Sequence, residues 1–152
     1  MKECPKIILD TNCLLQILGA KSCYHFLFTE LLAERYILCV STEILFEYEE
    51  ILRQKASPTA ADLFMKVIAR SRNVVRKDPY FRLGLIKQDA DDNKFVDCAF
   101  VCQADFIVTD DVHFNDAANS PFPLFRVMGL DEFAKRMKEQ CVTLKNKSLM
   151  VT

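Results

Sequence analysis

Acidic residues follow two of the short apolar runs in the sequence. Asp10 comes directly after the run 6–9, and Asp110 and Asp111 come just after the run 106–108. Because continuous apolar runs rich in β-branched residues indicate buried strands of a parallel sheet, these carboxylates are expected at the carboxyl ends of strands. Ligands of open parallel sheets bind at that edge, where loops and helix N-termini gather. The sequence therefore predicts an acidic site at the carboxyl edge of a sheet.

Helical periodicity adds two further carboxylates to this site. At about 100° per residue, Glu47 lies only about 40° from Ile51, at the border of the apolar stripe of its helix. A carboxylate beside a buried stripe needs a cation, a hydrogen bond or a proton to offset its desolvation. Asp92 begins a later helix on the side of the apolar stripe, whereas Asp97 is expected on the solvated side. Glu47 and Asp92 are thus expected to point toward the acidic edge.

Clustered carboxylates predict a bound divalent cation. Negative charges within a few ångströms raise one another's pKa unless a cation balances them. The sequence has no Cys-x-x-Cys pair, and its two histidines, His25 and His113, are far apart in the chain. An all-oxygen site for Mg²⁺ or Mn²⁺ is therefore expected rather than a zinc site. Because Mg²⁺ binds together with substrate phosphates, the expected substrate is a phosphoester that a metal-activated water attacks.

The elements that must position these acids alternate in type along the chain. Five continuous apolar runs predict strands, near residues 6–9, 36–40, 73–76, 105–108 and 125–128. After a first helix that ends at Gly19, helices are expected at about 21–35, 42–53, 58–72, 92–103 and 130–140. Continuous rather than alternating strand patterns indicate a sheet covered on both faces. We therefore predict a three-layer α/β/α sandwich with a central, mainly parallel sheet of the Rossmann-like type.

Composition limits the class of protein. The chain has 152 residues, 51% of them hydrophobic and 27% charged, which fits one folded domain rather than a disordered chain. Residues 1–140 are expected to form that domain, and residues 141–152 a basic tail that is either a hairpin or disordered. Seven cysteines without a secretory signal predict reduced thiols and a cytoplasmic location. No apolar run reaches the length of a membrane span, so no membrane association is expected.

Four motifs resemble those of the PIN domain family. They are Asp10-Thr11-Asn12, STEILFE at 41–47, DADDNKF at 89–95 and ADFIVTDD at 104–111. Each motif is weak alone, but the four occur in the order and spacing of that family, and the likeness extends from about residue 6 to 138. It is greatest to the bacterial toxin components of toxin–antitoxin systems that are related to VapC.

The resemblance implies a Mg²⁺- or Mn²⁺-dependent endoribonuclease that hydrolyses RNA phosphodiester bonds as the toxin of a toxin–antitoxin system. The catalytic and metal-binding acids of the family fall on Asp10, Glu47, Asp92 and Asp111. Asn12 and the Thr109 hydroxyl would support them by hydrogen bonds. Asp110 stands where the family has Gly, Asn or Arg, so either Asp110 or Asp111 could face the metal, and the spacing favours Asp111. The resemblance also implies an antitoxin partner and a homodimer.

Two questions stay open at this level. The first is where RNA phosphates would be neutralised, since basic side chains supply most non-specific affinity; the candidates are Arg53, Lys55, Arg70 and Arg72. The second is activity itself. A PIN-type module that binds nucleic acid or protein with little or no catalysis, or a structure-specific DNA nuclease, would share these acids. A haloacid-dehalogenase-like phosphatase is disfavoured, because Asn12 stands where that class needs a second aspartate.

Overall fold

Five parallel strands form the centre of the protein. They are β1 (Lys6–Leu9), β2 (Ile37–Val40), β3 (Val74–Arg76), β4 (Phe106–Val108) and β5 (Val127–Met128). Their order across the sheet is β3-β2-β1-β4-β5, and every neighbouring pair is parallel. The computed structural model describes residues 4–87, 89–119 and 126–150, so residue 125 of the last predicted strand lies outside the described residues. The predicted α/β sandwich with a parallel sheet is confirmed.

Helices connect the strands and cover the sheet. They are α1 (Thr11–Leu18), α2 (Phe26–Leu32), α3 (Thr42–Lys55), α4 (Pro58–Arg70), α5 (Asn93–Cys102), α6 (Asn115–Ala118) and α7 (Leu130–Met150). Serine side chains begin two of them, because Ser41 Oγ accepts a hydrogen bond from the Ile44 amide at 3.2 Å and Ser57 Oγ accepts one from the Ala60 amide at 3.0 Å. Among the helices of the described residues, none is both long enough and apolar enough to cross a membrane.

The apolar runs are buried as continuous strands. All three residues of β4 and the last three residues of both β1 and β2 are buried, as a sheet covered on both faces requires. Asn73 closes the turn before β3, since its Nδ2 donates to the carbonyls of Leu31 and Tyr36 at 2.8 Å each. The seven cysteines are free thiols, as predicted.

Three predicted elements differ from the structure. The helix expected at 21–35 forms only between Phe26 and Leu32, because backbone turns such as Ser22 N–H to the Gly19 carbonyl occupy the residues before it. The last helix does not end near residue 140 but continues to Met150. The hairpin considered for the basic tail is therefore wrong for residues 141–150, which contain neither glycine nor proline to stop a helix.

Two short 3₁₀ turns at the acidic motifs were not predicted. They span Ala90–Asp92 and Val112–Phe114, and the residue just before each turn is an aspartate that caps it. Asp89 Oδ1 accepts from the Asp91 amide at 3.2 Å, and Asp111 Oδ1 accepts from the His113 amide at 2.9 Å. Such turns leave no periodic apolar pattern in the sequence, because they are only three residues long.

Candidate active site

A hydrogen bond between Asp10 and Thr109 joins the carboxyl ends of the neighbouring strands β1 and β4. Thr109 Oγ1 donates a hydrogen bond to Asp10 Oδ2 at 2.8 Å, and Asp10 is only 7% exposed. Burial raises the pKa of Asp10, and hydrogen bonds from Thr109 and the Thr11 backbone offset this only in part. The negative charges of Asp111 and Glu47 raise this pKa further. Asp10 is therefore a fixed, buried carboxyl group whose ionised form needs a nearby cation.

Asp110 lies on the α7 side of this edge. Its Oδ1 accepts a hydrogen bond from the Leu130 amide at 3.0 Å, which satisfies one of the free N–H groups at the start of α7. A Cβ atom at position 129 would stand 3.0 Å from the same oxygen, so Gly129 leaves room for this contact. The structure thus places Asp110 as a helix cap.

Asp111 faces the acidic residues. Its backbone N–H donates to Thr109 Oγ1 at 3.1 Å, and its Oδ1 accepts from the His113 amide. Its negative charge contributes to the raised pKa of both Asp10 and Asp92. Of the two adjacent aspartates, Asp111 is therefore the one that lies near the other acids, as the spacing favours.

The structure brings His113 close to Asp92, whereas the sequence analysis expected no histidine near the acids. One ligand atom each from Asp89, Asp92 and His113 lie within 4.8 Å of one another. Asp92 Oδ2 and His113 Nδ1 are buried atoms without a hydrogen-bond partner among the described residues. Burial raises the pKa of Asp92 to about 7, with further contributions from the charges of Asp89, Asp10, Asp111 and Glu47. The expected all-carboxylate cluster is therefore corrected, because a turn after β4 brings an imidazole to it.

These residues fit a divalent metal ion. Asp92 Oδ2 is buried without a hydrogen-bond partner among the described residues, which favours a proton or a cation at this atom, and carboxylates suit Mg²⁺ and Mn²⁺. Asp89, Asp92 and His113 have ligand atoms close enough together to hold the ion, and the negative charges of Asp10 and Asp111 also act on Asp92. The imidazole of His113 offers a nitrogen ligand, which a transition ion such as Mn²⁺ accepts more readily than Mg²⁺ does.

The two adjacent aspartates provide a matched pair of variants. Asp111→Ala is expected to weaken Mn²⁺ binding by at least about tenfold, because it removes a carboxylate that faces the cluster. Asp110→Ala is expected to keep Mn²⁺ affinity but lose about 1 kcal/mol of unfolding free energy, because the α7 cap is lost. Calorimetric Mn²⁺ titration and urea unfolding in EDTA measure the two effects. Loss of Mn²⁺ affinity in Asp110→Ala alone would exchange the two assignments.

Glu47 has a hydrogen-bond or ion-pair partner at each carboxylate oxygen. Its Oε2 accepts a hydrogen bond from the Thr11 hydroxyl, and its Oε1 lies 2.9 Å from Lys94 Nζ. Lys94 Nζ also lies 3.0 Å from Asp91 Oδ2 and donates to the Asp91 carbonyl at 2.9 Å. Burial lowers the pKa of Lys94, but the contacts with Glu47 and Asp91 outweigh burial, so the net pKa is raised. The cation and the hydrogen bond that Glu47 was expected to need are supplied by the chain itself.

Two side chains of α5 hold the preceding loop against the site. The Asn93 amide donates to the Ile86 carbonyl at 2.9 Å and accepts from the Ile86 N–H at 2.8 Å. Asp97 Oδ1 accepts from the Leu83 N–H at 3.0 Å. Asp97 is only 2% exposed, so its predicted solvent exposure is wrong, because the loop before α5 covers that side of the helix. These contacts attach the loop at Leu83 and Ile86 to α5, just before the acidic residues 89–92.

The remaining predicted residues are Asn12 and four basic residues. Asn12 is exposed in the first turn of α1, and its neighbour Thr11 makes the hydrogen bond to Glu47 instead. Arg53 pairs with Glu49 at 3.0 Å and with Asp62 at 2.5 Å, and the exposed Lys55 ends the same helix. Arg70 and Arg72 precede the amino end of β3, so they lie toward the opposite edge of the sheet. RNA contact by these four basic residues stays a prediction.

Sequence reasoning also missed a cation and an aromatic ring beside the acids. Arg82 is exposed and lies 3.3 Å from Glu43, and Phe46 on α3 is 67% exposed. Both residues line an open pocket of about 370 Å³ together with Glu47 and Lys94. Lys94 and His113 were missed because nothing in their local sequence shows which distant residues they contact.

An open parallel sheet with an acidic, metal-compatible centre at its carboxyl edge defines the class of this protein. The family model described as "PIN domain" matches residues 6–113. The chain therefore belongs to the PIN domain family, as the sequence motifs predict.

Solved structures show the same fold at low sequence identity. A chain of Rickettsia felis VapBC2, solved with a DNA fragment from its promoter, has a TM-score of 0.57 and 14% identity, over 82% of this chain and 98% of that chain. Mycobacterium tuberculosis VapC20, described as a Sarcin-Ricin loop cleaving toxin, has a TM-score of 0.53 and 17% identity, over 73% and 94%. Neisseria gonorrhoeae FitAcB has a TM-score of 0.52 and 15% identity, over 82% and 97%. No curated protein sequence matches the chain.

Proposed function

We propose that this protein is a divalent-metal-dependent endoribonuclease that acts as the toxin of a toxin–antitoxin pair in the cytoplasm. The observation that carries the proposal is the buried acidic centre, in which Asp92 has an unpartnered oxygen and Asp10 is fixed by Thr109. Membership of the PIN domain family and the shared fold with VapC20, described as a loop-cleaving toxin, support it.

The chain's own residues prepare the site for hydrolysis. A bound divalent ion would lower the pKa of a water molecule and stabilise negative charge on the phosphate. Asp10, Asp92 and Asp111 would hold that ion, and the Thr109 hydroxyl fixes the orientation of Asp10. Asn93 keeps the loop of Asp89 close to Asp92 through its two hydrogen bonds to Ile86. Because these groups are in place before substrate binds, little reorganisation opposes the reaction.

Single-stranded RNA is the substrate that the rim of the site favours. Phe46 offers an exposed ring on which a base can stack, and Arg82 offers a guanidinium group for a phosphate. Both lie in the pocket that contains Glu47, so a bound strand would pass directly beside the acids. Bases are accessible for such stacking in loops and single strands rather than in duplexes.

A cleavage assay tests the proposal against its two alternatives. Purified protein is incubated with an end-labelled RNA pool, with single-stranded DNA and with flap DNA, in Mg²⁺, in Mn²⁺ or in EDTA. Metal-dependent cutting of RNA alone is expected. Preferential cutting of flap DNA would favour the structure-specific DNA nuclease. RNA binding and Mn²⁺ binding without any cutting would favour a module that has lost catalysis.

Partner binding is a second part of the proposal. An apolar groove of about 640 Å³ lies between α1, α3 and α4 and includes Leu18, Leu52, Leu63 and Phe64. Burial of such a surface stabilises association with another chain, and the proposed occupants are an antitoxin segment or a second copy in a homodimer. Light scattering of the chain alone tests the second copy, because a dimeric mass at micromolar concentration supports the homodimer and a monomeric mass counts against it.

A further inference from the structure

Lys94 is a buried cation inside an acidic site. Its side chain is 9% exposed. No other lysine among the described residues is buried. Its Nζ contacts three oxygens, at 2.9 Å from Glu47 Oε1, 3.0 Å from Asp91 Oδ2 and 2.9 Å from the Asp91 carbonyl. An ammonium group has three N–H donors, so these contacts match its full hydrogen-bonding capacity.

The Lys94 ammonium group partly offsets the negative charges of the two carboxylates that it contacts, Glu47 and Asp91. Glu47 is held by Lys94 on Oε1 and by the Thr11 hydroxyl on Oε2. A divalent ion that bound Glu47 would stand within a few ångströms of the ammonium group. Positive charges at that separation repel strongly in a partly buried site, so binding there is opposed while Lys94 is in place.

On the side of Asp10 and Asp92, the described residues include no lysine or arginine in an ion pair with these two carboxylates. Asp92 Oδ2 is buried and has no hydrogen-bond partner among the described residues. Asp10 is only 7% exposed and accepts a hydrogen bond from the uncharged Thr109 hydroxyl. The need for a metal ion is therefore unequal across the site, being greatest at Asp92 and least at Glu47.

We propose that the Lys94 ammonium group takes the place of a second divalent ion beside Glu47 and Asp91. The protein then binds a single divalent ion, on the side of Asp10, Asp92 and Asp111. The inference rests on the proposed function, because it presupposes that the acidic centre binds a divalent metal. Lys94 acts here as a positioning residue, since it sets where the metal binds rather than contacting the reacting atoms.

The number of Mn²⁺ ions bound per chain tests this directly. The full chain, freed of metal with EDTA and dialysed, is titrated with Mn²⁺ alone by calorimetry, and bound ions are counted by electron paramagnetic resonance. We expect one Mn²⁺ per wild-type chain. In Lys94→Met, which keeps the length of the stem without its charge, we expect two ions, with the exchange-broadened signal of a close pair.

Matched variants separate charge from packing. Lys94→Arg keeps the positive charge and should bind one ion, whereas Lys94→Gln is a second neutral variant if the methionine variant fails to fold. Lys94→Met combined with Glu47→Gln removes the carboxylate that the second ion would use, so this double variant should return to one ion. Circular dichroism confirms that each variant is folded. A merely structural role for Lys94 would change stability in these variants without changing the count.

Each result has a distinct meaning. Two ions in the wild type, or one ion in both folded neutral variants, would overturn the role of Lys94 and leave the metal-dependent nuclease untouched. No Mn²⁺ binding in the wild type would instead overturn the metal dependence on which both proposals rest. One ion in the wild type and two in a neutral variant would support both.

Discussion

Asp10→Asn is expected to reduce metal-dependent cleavage by about 100- to 1,000-fold while leaving the fold at least as stable as the wild type. The loss follows from geometry, since Asp10 lies at the carboxyl end of the central strand β1 and its carboxylate would hold the metal ion. An amide of the same shape carries no charge and binds a hard cation poorly. The cleavage rate of RNA in Mn²⁺ measures the effect.

Stability distinguishes a catalytic role of Asp10 from a structural one. Burial and the charges of Asp111 and Glu47 raise the pKa of Asp10, which means that the ionised form costs free energy in the metal-free fold. An asparagine removes that cost, and its side-chain oxygen can still accept the hydrogen bond from Thr109. Urea unfolding in EDTA should therefore show equal or higher stability for Asp10→Asn.

A control variant removes the same charge outside the cluster. Asp62 is exposed and pairs with Arg53 rather than with the acids, so Asp62→Asn should retain wild-type cleavage. Wild-type cleavage by Asp10→Asn would remove Asp10 from the proposed mechanism. An unfolded Asp10→Asn protein would show that the carboxyl group is needed for structure.

Parts of the site that depend on local pattern were predictable from the sequence. Asp10 and Asp111 follow strand-like runs, and the parallel sheet brings such positions to one edge. Glu47 could be found because a helix has a fixed angle per residue, which placed it beside the buried stripe. In each case the decisive information lies within a few residues of the acid.

Contacts between distant segments were not predictable. Lys94 and Glu47 are on different helices, and His113 approaches Asp89 from within a 3₁₀ turn that no periodic pattern marks. Asp97 was placed in solvent because helical periodicity assumes one buried face, whereas α5 is also covered by the loop that contains Leu83. The sequence therefore indicates which side chains share an edge of the sheet but not which cation or loop accompanies them.

The stability of the metal-free protein is expected to fall with rising pH because of Asp92. The pKa of Asp92 is raised from 3.8 to about 7, first by burial and then by the charge of Asp89. A raised carboxyl pKa means that the folded state binds the proton more tightly than the unfolded state does. The stabilising contribution is complete below about pH 3.8 and is lost as the pH rises through about 7.

Asp92→Asn isolates this contribution, because an amide does not titrate. Urea unfolding in EDTA at pH 5, 6.5 and 8 gives the difference in unfolding free energy between the variant and the wild type. This difference should increase by about 2 kcal/mol in favour of the variant between pH 5 and pH 8, allowing for the partial exposure of Asp92 to solvent. The other titratable groups that face Asp92 are common to both proteins: Asp10, Glu47, Asp89, Asp111 and His113.

Saturating Mn²⁺ should reverse the trend in the wild type. The bound ion requires the deprotonated carboxylate, so metal binding and protonation of Asp92 exclude each other. Stabilisation by Mn²⁺ should therefore grow with pH in the wild type and stay small at every pH in Asp92→Asn. Parallel pH profiles for the two metal-free proteins would show that Asp92 does not titrate in this range. Equal stabilisation of both proteins by Mn²⁺ would place the metal ion away from Asp92.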